Sequence, residues 1–175
     1  MPTEHETKVL DIDVNEIEGK LRRLGAKEEK EVTMRRWVFD MNPKGREWIR
    51  LRDNGKNVTL AYKKKSGSGI SDTEEIETEI GDFDKAYDLL SKINFKARYY
   101  RESKRRMFRL KGMEFTIDTW PKVPALLEIE AESEKRVREG LRLLGLGGKD
   151  IGNMCMIDVY KKYGIDVDSM EEMRF

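Results

Sequence analysis

The sequence has one cysteine and one histidine among 175 residues, and it has no long apolar run. A single cysteine, Cys155, cannot form an internal disulfide, which fits a reducing compartment. No apolar stretch approaches the length that crosses a membrane, and the first residues lack the apolar region of a secretory leader. These absences lead us to expect a cytoplasmic protein without a membrane partner.

The sequence also lacks an excess of charge of either sign. Its 35 basic and 34 acidic residues leave a formal net charge of +1. Proteins that bind a nucleic-acid duplex usually carry a basic excess, so this balance argues against nucleic acid as a partner. Charged residues nevertheless make up 39% of the chain, which suits a protein that places both signs side by side.

The two rare residue types are not expected to supply chemistry. Cys155 lies in an apolar stretch that predicts a helix over 150–163, and no histidine or basic side chain stands beside it. We therefore expect it to be a small packing residue. Alternate side chains of a strand point to opposite faces, so His5 is expected on the face opposite to Glu4 and Glu6. A mechanism centred on histidine is therefore not expected.

The sequence does contain alternating charge in strand-like segments. Short turn signals separate these segments, a spacing typical of antiparallel hairpins. The segments lie near residues 3–10, 35–41, 47–53, 57–65, 73–80, 97–109, 113–119 and 125–132. Helices are predicted after Asp13, Asp82 and Ser133, and a fourth over 150–163. We predict an α+β fold in a single domain, residues 1–175.

Five of these segments set apolar residues on one face and charges on the other, and the sign of the charge changes between strands. "RLR" at 50–52 gives a basic face, and "EEIETEI" at 74–80 gives an acidic one. An open sheet that shows this face to water is one interpretation. The alternative is a barrel, since about eight strands can close with helices outside and charges inside. Such an interior would suit a polyphosphate with divalent cations.

The charged segments also occur in a recognisable order. "EHETK" at 4–8 has the pattern ExExK, and it is followed by "RLR" at 50–52, "YKKK" at 62–65, "EEIETE" at 74–79, "KRR" at 104–106 and "FTIDTWPKVPALLEIE" at 115–130. This order resembles the CYTH family, also called triphosphate tunnel metalloenzymes, which includes class IV adenylate cyclases and thiamine triphosphatases. The resemblance extends over about residues 4–163. Pro124 stands where the family often has a glycine.

The resemblance implies a closed eight-stranded antiparallel barrel, a tunnel with a charged interior and helices packed outside. It also implies the ligands of Mg²⁺ or Mn²⁺, which would be Glu4, Glu6, Asp118, Glu128 and Glu130. The side chains at the substrate would be Lys8, Arg50, Arg52, Lys63, Lys65, Glu75, Glu77, Lys104 and Arg106. The expected catalytic residues are Glu4, Glu6, Lys8 and Lys63. Strand parity excludes Lys64 from this set and leaves Lys63 and Lys65 as alternatives.

The implied function is metal-dependent hydrolysis of an inorganic, nucleoside or organic (thiamine-type) triphosphate. A class IV adenylate cyclase, which converts ATP to cyclic AMP and pyrophosphate, would use the same residues, so both activities stay open. A non-catalytic module that binds polyphosphate or nucleotide is a third interpretation, and the retained carboxylates argue against it. The expected partner is a small triphosphate, and an exposed helical face could support a homodimer.

Overall fold

The computed structural model describes residues 5–41, 47–65 and 73–175. Over these ranges the strands are β1 (His5–Val9), β2 (Lys27–Glu28), β3 (Val32–Asp40), β4 (Glu47–Asp53), β5 (Val58–Lys65), β6 (Thr73–Ile80), β7 (Ala97–Leu110), β8 (Met113–Thr119), β9 (Leu126–Ala131) and β10 (Glu172–Met173). The helices are α1 (Val14–Arg23), α2 (Phe83–Lys92), α3 (Glu134–Leu144) and α4 (Met156–Lys162), with a 3-10 turn at Val167–Ser169. None of the described helices has the length and apolar composition required to span a membrane.

The strands form one large sheet in the order β1-β9-β8-β7-β3-β4-β5-β6, and both β2 and β10 pair with β7. The pairings of β1 with β9, β9 with β8, β8 with β7, and β3 through β6 in sequence are antiparallel, whereas β10 is parallel to β7. The predicted α+β class is therefore confirmed. Among the described residues no pairing joins β1 to β6, so the predicted closure into a barrel is not confirmed.

The residues fall into two compact units. Unit 1 comprises Met1–Val32 and Ser103–Asp168, and unit 2 comprises Thr33–Glu102 and Ser169–Phe175. Strand β7 contributes to both, with residues 97–102 in unit 2 and 103–110 in unit 1. Each unit has its own apolar core.

The core of unit 1 lies on one face of its strands β1, β9, β8 and residues 103–110 of β7. Phe108 lies opposite Phe115, and Phe115 lies opposite Ile129. Helices α1 and α3 pack on this face, with Leu21 and Leu144 fully buried. Burial of apolar surface contributes about 25 cal/mol per Å², and it fixes the strand register because a slip by one residue would reverse every side chain.

Unit 2 repeats this arrangement with α2 on the apolar face of its strands. Phe39 of β3 and Leu51 of β4 are fully buried, and Phe83 and Leu90 of α2 pack with them. The Arg35 guanidinium lies 4.3 Å from the centroid of the Phe83 ring, a cation–π contact at the edge of this core.

The ends of the first three helices follow the predicted signals. The Asp13 carboxylate accepts a hydrogen bond from the Glu16 main-chain N–H (3.0 Å), and Asp82 and Ser133 cap α2 and α3 in the same way. Helix α3 ends at Gly145, whose φ of 71° is in the left-handed region that glycine adopts without strain. The helix starts predicted at these three caps are confirmed.

The fourth helix is shorter than predicted, because the chain before it pairs with β1. Ile151 N–H donates to the Lys8 carbonyl (2.9 Å), the Lys8 N–H donates to the Gly152 carbonyl (3.1 Å), and the Gly152 φ of 67° is incompatible with a right-handed helix. Helix α4 therefore begins at Met156. Cys155 stands exposed before it, so the expectation of a packing cysteine is wrong.

The close packing of α3 on the sheet gives a test of the unit 1 core. A Cβ on Gly140 would lie 3.0 Å from Ile129 Cγ2 and 3.2 Å from two ring carbons of Phe115, both fully buried. Because neither neighbour has room to move, we expect Gly140→Ala to lower the free energy of unfolding by about 1–3 kcal/mol. Urea unfolding followed by circular dichroism measures this change.

The matched control is the other helical glycine of unit 1, Gly19 in α1. A Cβ there would meet only the flexible end of Arg23, at 3.4 Å. Gly19→Ala should therefore stabilise the protein by about 0.5–1 kcal/mol through helix propensity. Equal effects of the two substitutions would contradict the packing described for α3.

Candidate functional site

One face of the unit 1 sheet carries ionisable side chains, and we call it the unit 1 polar face. Partners across an antiparallel pair lie on the same side of the sheet, so the strand register identifies its members. The face contains Glu6 and Lys8 of β1, Glu128 and Glu130 of β9, Thr116 and Asp118 of β8, and Arg105 of β7. The apolar core occupies the other side of the same strands, where His5 also lies, opposite Ala131.

Lys8 is a buried cation on this face, 7% exposed. Its Nζ lies 2.9 Å from Glu128 Oε2 and 3.7 Å from Glu6 Oε1. It also donates a hydrogen bond to Asn153 Oδ1 (3.1 Å). A buried ammonium is costly unless its charge and its N–H groups have partners. One close carboxylate, one amide and one more distant carboxylate meet that requirement here.

Arg105 is the second cation of the face. Its Nε and Nη2 donate to the two carboxylate oxygens of Asp118 (2.7 and 2.6 Å), and Nη2 lies 3.5 Å from Glu128 Oε1. Burial opposes the charged form of the guanidinium, but the contact with Asp118 and the charges of Glu128 and Glu6 outweigh it and raise the pKa of Arg105. Asp118 is 4% exposed, so this two-pronged pair also neutralises a buried carboxylate.

The unit 1 polar face has the donor chemistry of a site for a hard cation. Its carboxylates are the oxygen ligands that Mg²⁺ and Mn²⁺ prefer, and the Oγ1 of Thr116 is buried without a hydrogen-bond partner. In the part of the chain that the structure describes, no three carboxylate, histidine or cysteine side chains lie close enough to form a metal site. As placed, Asp118 and Glu128 pair with Arg105 and Lys8, and Glu4 lies outside the described residues.

A second charged face belongs to unit 2, and we call it the unit 2 polar face. Its members share one side of three antiparallel strands and alternate with the apolar residues beneath α2. They are Arg50 and Arg52 of β4, Thr59 and Lys63 of β5, and Glu75 and Glu77 of β6. Lys64 lies on the opposite side, where its Nζ is 3.4 Å from Glu47. The side chain of Lys65 lies outside the described residues.

Ion pairs connect the basic and acidic strands of the unit 2 polar face. Arg50 Nη2 lies 2.9 Å from both Glu75 and Glu77, and Lys63 Nζ lies 2.9 Å from Glu75. Arg52 Nη2 lies 3.5 Å from Glu77. The Nε of Arg50 is buried and has no hydrogen-bond partner. The two glutamates therefore orient the basic side chains of this face.

The structure places two of the predicted substrate residues, Lys104 and Arg106, on the side of β7 opposite to the unit 1 polar face. In β7, Arg106 lies opposite Ile117 on the core side of unit 1, and its Nη1 donates to the buried Glu18 of α1 (2.6 Å). Lys104 has the same parity as Arg106 and lies opposite Thr119. Arg105, which the motif did not select, takes the position on the polar face. The parity of Phe108 and Leu110, which share the core side with Arg106, was the sequence signal for this assignment.

The pH dependence of protein stability tests the ion pairs of Glu77 on the unit 2 polar face. Burial favours the neutral form of Glu77, but Arg50 and Arg52 outweigh it, so its pKa lies below the ordinary 4.5. A carboxyl group with a lowered pKa stabilises the fold above its unfolded pKa, and this contribution disappears as the pH falls through the folded value. We expect Glu77→Gln to cost about 1 kcal/mol of unfolding free energy at pH 7, and the difference from wild type to shrink below pH 4.5.

Urea unfolding between pH 3 and pH 7 measures this difference. The control is Glu74→Gln on the other side of β6, where Glu74 is exposed and lies opposite Lys64. The control should show a smaller loss at pH 7. An equal pH dependence in the two variants would contradict the assignment to Glu77.

Comparison with known proteins matches residues 2–145 to the CYTH domain, and no curated protein matches the chain. Among solved structures, the PH1012 protein from Pyrococcus horikoshii OT3 is 23% identical, with 89% of this chain and 98% of that chain covered and a TM-score of 0.68. A candidate adenylate cyclase from Vibrio parahaemolyticus is 13% identical, with 90% of this chain and 97% of that chain covered and a TM-score of 0.68. A candidate adenylyl cyclase from Hippeastrum is described as having a dominant triphosphatase activity. It is 16% identical, with 95% of this chain and 99% of that chain covered and a TM-score of 0.60.

Identities this low show a shared fold and leave the activity to be argued from the site. The family match is of a different kind, because it covers most of the chain. It includes β1 through β9 and α1 through α3, and therefore the residues of both polar faces. The chain belongs to the CYTH domain family.

Proposed function

We propose that this protein is a metal-dependent enzyme that hydrolyses an inorganic, nucleoside or organic triphosphate. The observation that carries the proposal is the unit 1 polar face, where Lys8 and Arg105 stand among the carboxylates Glu6, Asp118 and Glu128. Membership of the CYTH family supports it. We propose as well that residues 1–175 act as one CYTH-like domain, since the three solved relatives are covered over 97–99% of their length.

The carboxylates of unit 1 are the proposed ligands of Mg²⁺ or Mn²⁺. They are Glu6, Asp118, Glu128 and Glu130, with Glu4 as a further ligand expected from the ExExK pattern. A divalent cation bound to them would neutralise phosphate charge and orient a water molecule for attack. The buried hydroxyl of Thr116, which has no hydrogen-bond partner, is a further oxygen on the same face.

Lys8 and Arg105 are the proposed phosphate contacts of unit 1. They now donate to Glu128 and Asp118, which are themselves proposed cation ligands. Phosphate oxygens accept from ammonium and guanidinium groups as carboxylates do. With substrate present, Lys8 and Arg105 would donate to the phosphate chain, and the carboxylates would be left for the cation. The charges of the face stay compensated in both arrangements.

The basic side chains of the unit 2 polar face are proposed as phosphate contacts. Arg50, Arg52 and Lys63 carry this role, with Lys65 as the alternative to Lys63. Glu75 and Glu77 hold Arg50 and Lys63 in place through the ion pairs on the unit 2 polar face. The buried Nε of Arg50 retains a donor without a partner, and a phosphate oxygen would satisfy it.

In the proposed reaction a water oxygen attacks the terminal phosphorus. The bond between that phosphorus and its bridging oxygen breaks, and the electron pair leaves with the bridging oxygen. Negative charge grows on the bridging and terminal oxygens, so pre-positioned cationic groups stabilise the transition state more than the substrate. On the unit 1 polar face Lys8 is proposed as the basic group that does this, and Arg105 has the same proposed role because of its place beside Asp118. Lys63 is the basic group proposed for this role on the unit 2 polar face.

Adenylate cyclase activity is the second candidate, since two of the solved relatives are described as candidate adenylate cyclases. In that reaction the ribose 3′-oxygen attacks the α-phosphorus of ATP and pyrophosphate leaves. The Hippeastrum relative favours hydrolysis as the first choice, because its dominant activity is described as triphosphatase. The two reactions differ in which phosphorus meets the nucleophile.

A product assay separates the two activities. Purified protein is incubated with inorganic triphosphate or ATP, and with Mg²⁺, Mn²⁺ or excess chelator. We expect orthophosphate, dependent on the metal, and no cyclic AMP. Glu6→Gln should lose most of this activity because it removes a charged cation ligand, with unchanged circular dichroism. Cyclic AMP as the main product would establish the cyclase, and full activity of Glu6→Gln would refute the role of the face.

A matched pair of arginine variants tests the assignment within β7. Arg105→Gln and Arg106→Gln each remove a guanidinium from a buried carboxylate, Asp118 or Glu18, so a general loss of stability should affect both. We expect the Kd for inorganic triphosphate to rise about tenfold or more in Arg105→Gln, which corresponds to one charge-assisted contact of about 1.4 kcal/mol. Arg106→Gln should change it less than about threefold.

Isothermal titration calorimetry measures both constants, and urea unfolding checks that the variants are folded to a similar degree. A larger loss of affinity in Arg106→Gln than in Arg105→Gln would show that the motif, and not the strand parity, identifies the phosphate contact.

A further inference from the structure

Lys8 is held by a segment that lies beyond the residues matched to the family. The match ends at residue 145, whereas residues 151–153 run beside β1. The main chain of Lys8 exchanges hydrogen bonds with Ile151 (2.9 Å) and Gly152 (3.1 Å). The side chain of Lys8 donates from Nζ to Asn153 Oδ1 (3.1 Å). One short segment therefore fixes both the backbone and the ammonium group of the same residue.

The geometry around Nζ limits the directions that the ammonium group can take. An ammonium has three N–H donors and no acceptor. Glu128 Oε2 lies at 2.9 Å and Asn153 Oδ1 at 3.1 Å, so these two accept hydrogen bonds. Glu6 Oε1 lies at 3.7 Å, beyond hydrogen-bond distance. Two bonds of three are therefore set in the structure, and of these two only the bond to Asn153 does not involve a proposed cation ligand.

An amide suits this position better than a second carboxylate would. The amide oxygen of Asn153 accepts a hydrogen bond but adds no negative charge, so it does not compete electrostatically with a phosphate for Lys8. Asn153 is exposed whereas Lys8 is buried. The contact thus joins a surface side chain to an interior cation, and Asn153 has no part in the apolar core of unit 1.

We propose that Asn153 is a positioning residue, which orients the Lys8 ammonium towards the phosphate chain of the substrate. The inference rests on the proposed function, because it takes Lys8 as a phosphate contact. The left-handed backbone at Gly152 (φ 67°) turns the chain immediately before Asn153. A second side-chain contact, from Thr7 Oγ1 to Asp150 Oδ2 (3.2 Å), anchors the same segment from the other parity of β1.

Two variants of Asn153 test the proposal, with inorganic triphosphate and Mg²⁺ as the probe. Asn153→Ala removes the acceptor, and we expect the Kd of triphosphate to rise about five- to tenfold while the midpoint of urea unfolding changes little. Asn153→Asp keeps an acceptor for Lys8 but adds a charge. It should preserve or raise the unfolding midpoint and still weaken triphosphate binding. A purely structural role for Asn153 would not move stability and affinity in opposite directions.

The matched control is Asp150→Ala, which removes the other side-chain anchor of the segment without touching Lys8. It should change the Kd by less than about twofold. Unchanged affinity in Asn153→Ala, or an equal loss in Asp150→Ala, would overturn the inference while leaving the proposed function intact. Wild-type protein that neither binds nor hydrolyses triphosphate would instead overturn the proposed function, and this inference with it.

Discussion

Lys8 and Asp118 carry opposite charges in the interior of unit 1, and each depends on a partner from a neighbouring strand. Lys8 is 7% exposed and Asp118 is 4% exposed. An ion removed from water loses several kcal/mol of solvation, which only a close counter-charge and further hydrogen bonds recover. Glu128 and Arg105 supply these for the two residues. The apolar core on the opposite face fixes the register, and the register decides which charges meet.

Mixing the two signs makes a charged face compatible with a stable fold and with ligand exchange. Glu128 contacts both Lys8 Nζ (2.9 Å) and Arg105 Nη2 (3.5 Å), so a single carboxylate links both cations. A face of carboxylates alone would repel itself and drive protonation. In the proposed enzyme a metal ion and a polyphosphate would replace these internal partners. The proposed substrate would therefore bind where the free protein has already met the cost of burying charge.

Local patterns were sufficient to predict eight of the ten strands and the first three helix caps, and alternation predicted the shared face of Glu6, Lys8, Glu128 and Glu130. The two-residue strands β2 and β10 were not predicted. Local patterns could not decide which basic residues of 103–109 lie on the polar face, because "SKRRMFR" carries basic residues on both sides of the strand. The choice between Arg105 and Arg106 depends on Asp118 in β8 and Glu18 in α1, which are distant in sequence. Closure of the sheet and the start of α4 likewise depend on non-local pairing.

Arg106, a predicted substrate residue, lies on the core side of β7 and has a structural partner there. Helix α1 brings the buried carboxylate of Glu18 to the core side of β7, and Arg106 Nη1 meets it at 2.6 Å. Glu18 also pairs with Arg22 one helical turn later. That carboxylate needs a cation as much as Asp118 does. Both faces of β7 therefore carry basic side chains for the same electrostatic reason, and Arg105, unlike Arg106, shares its face with the carboxylates proposed to bind metal.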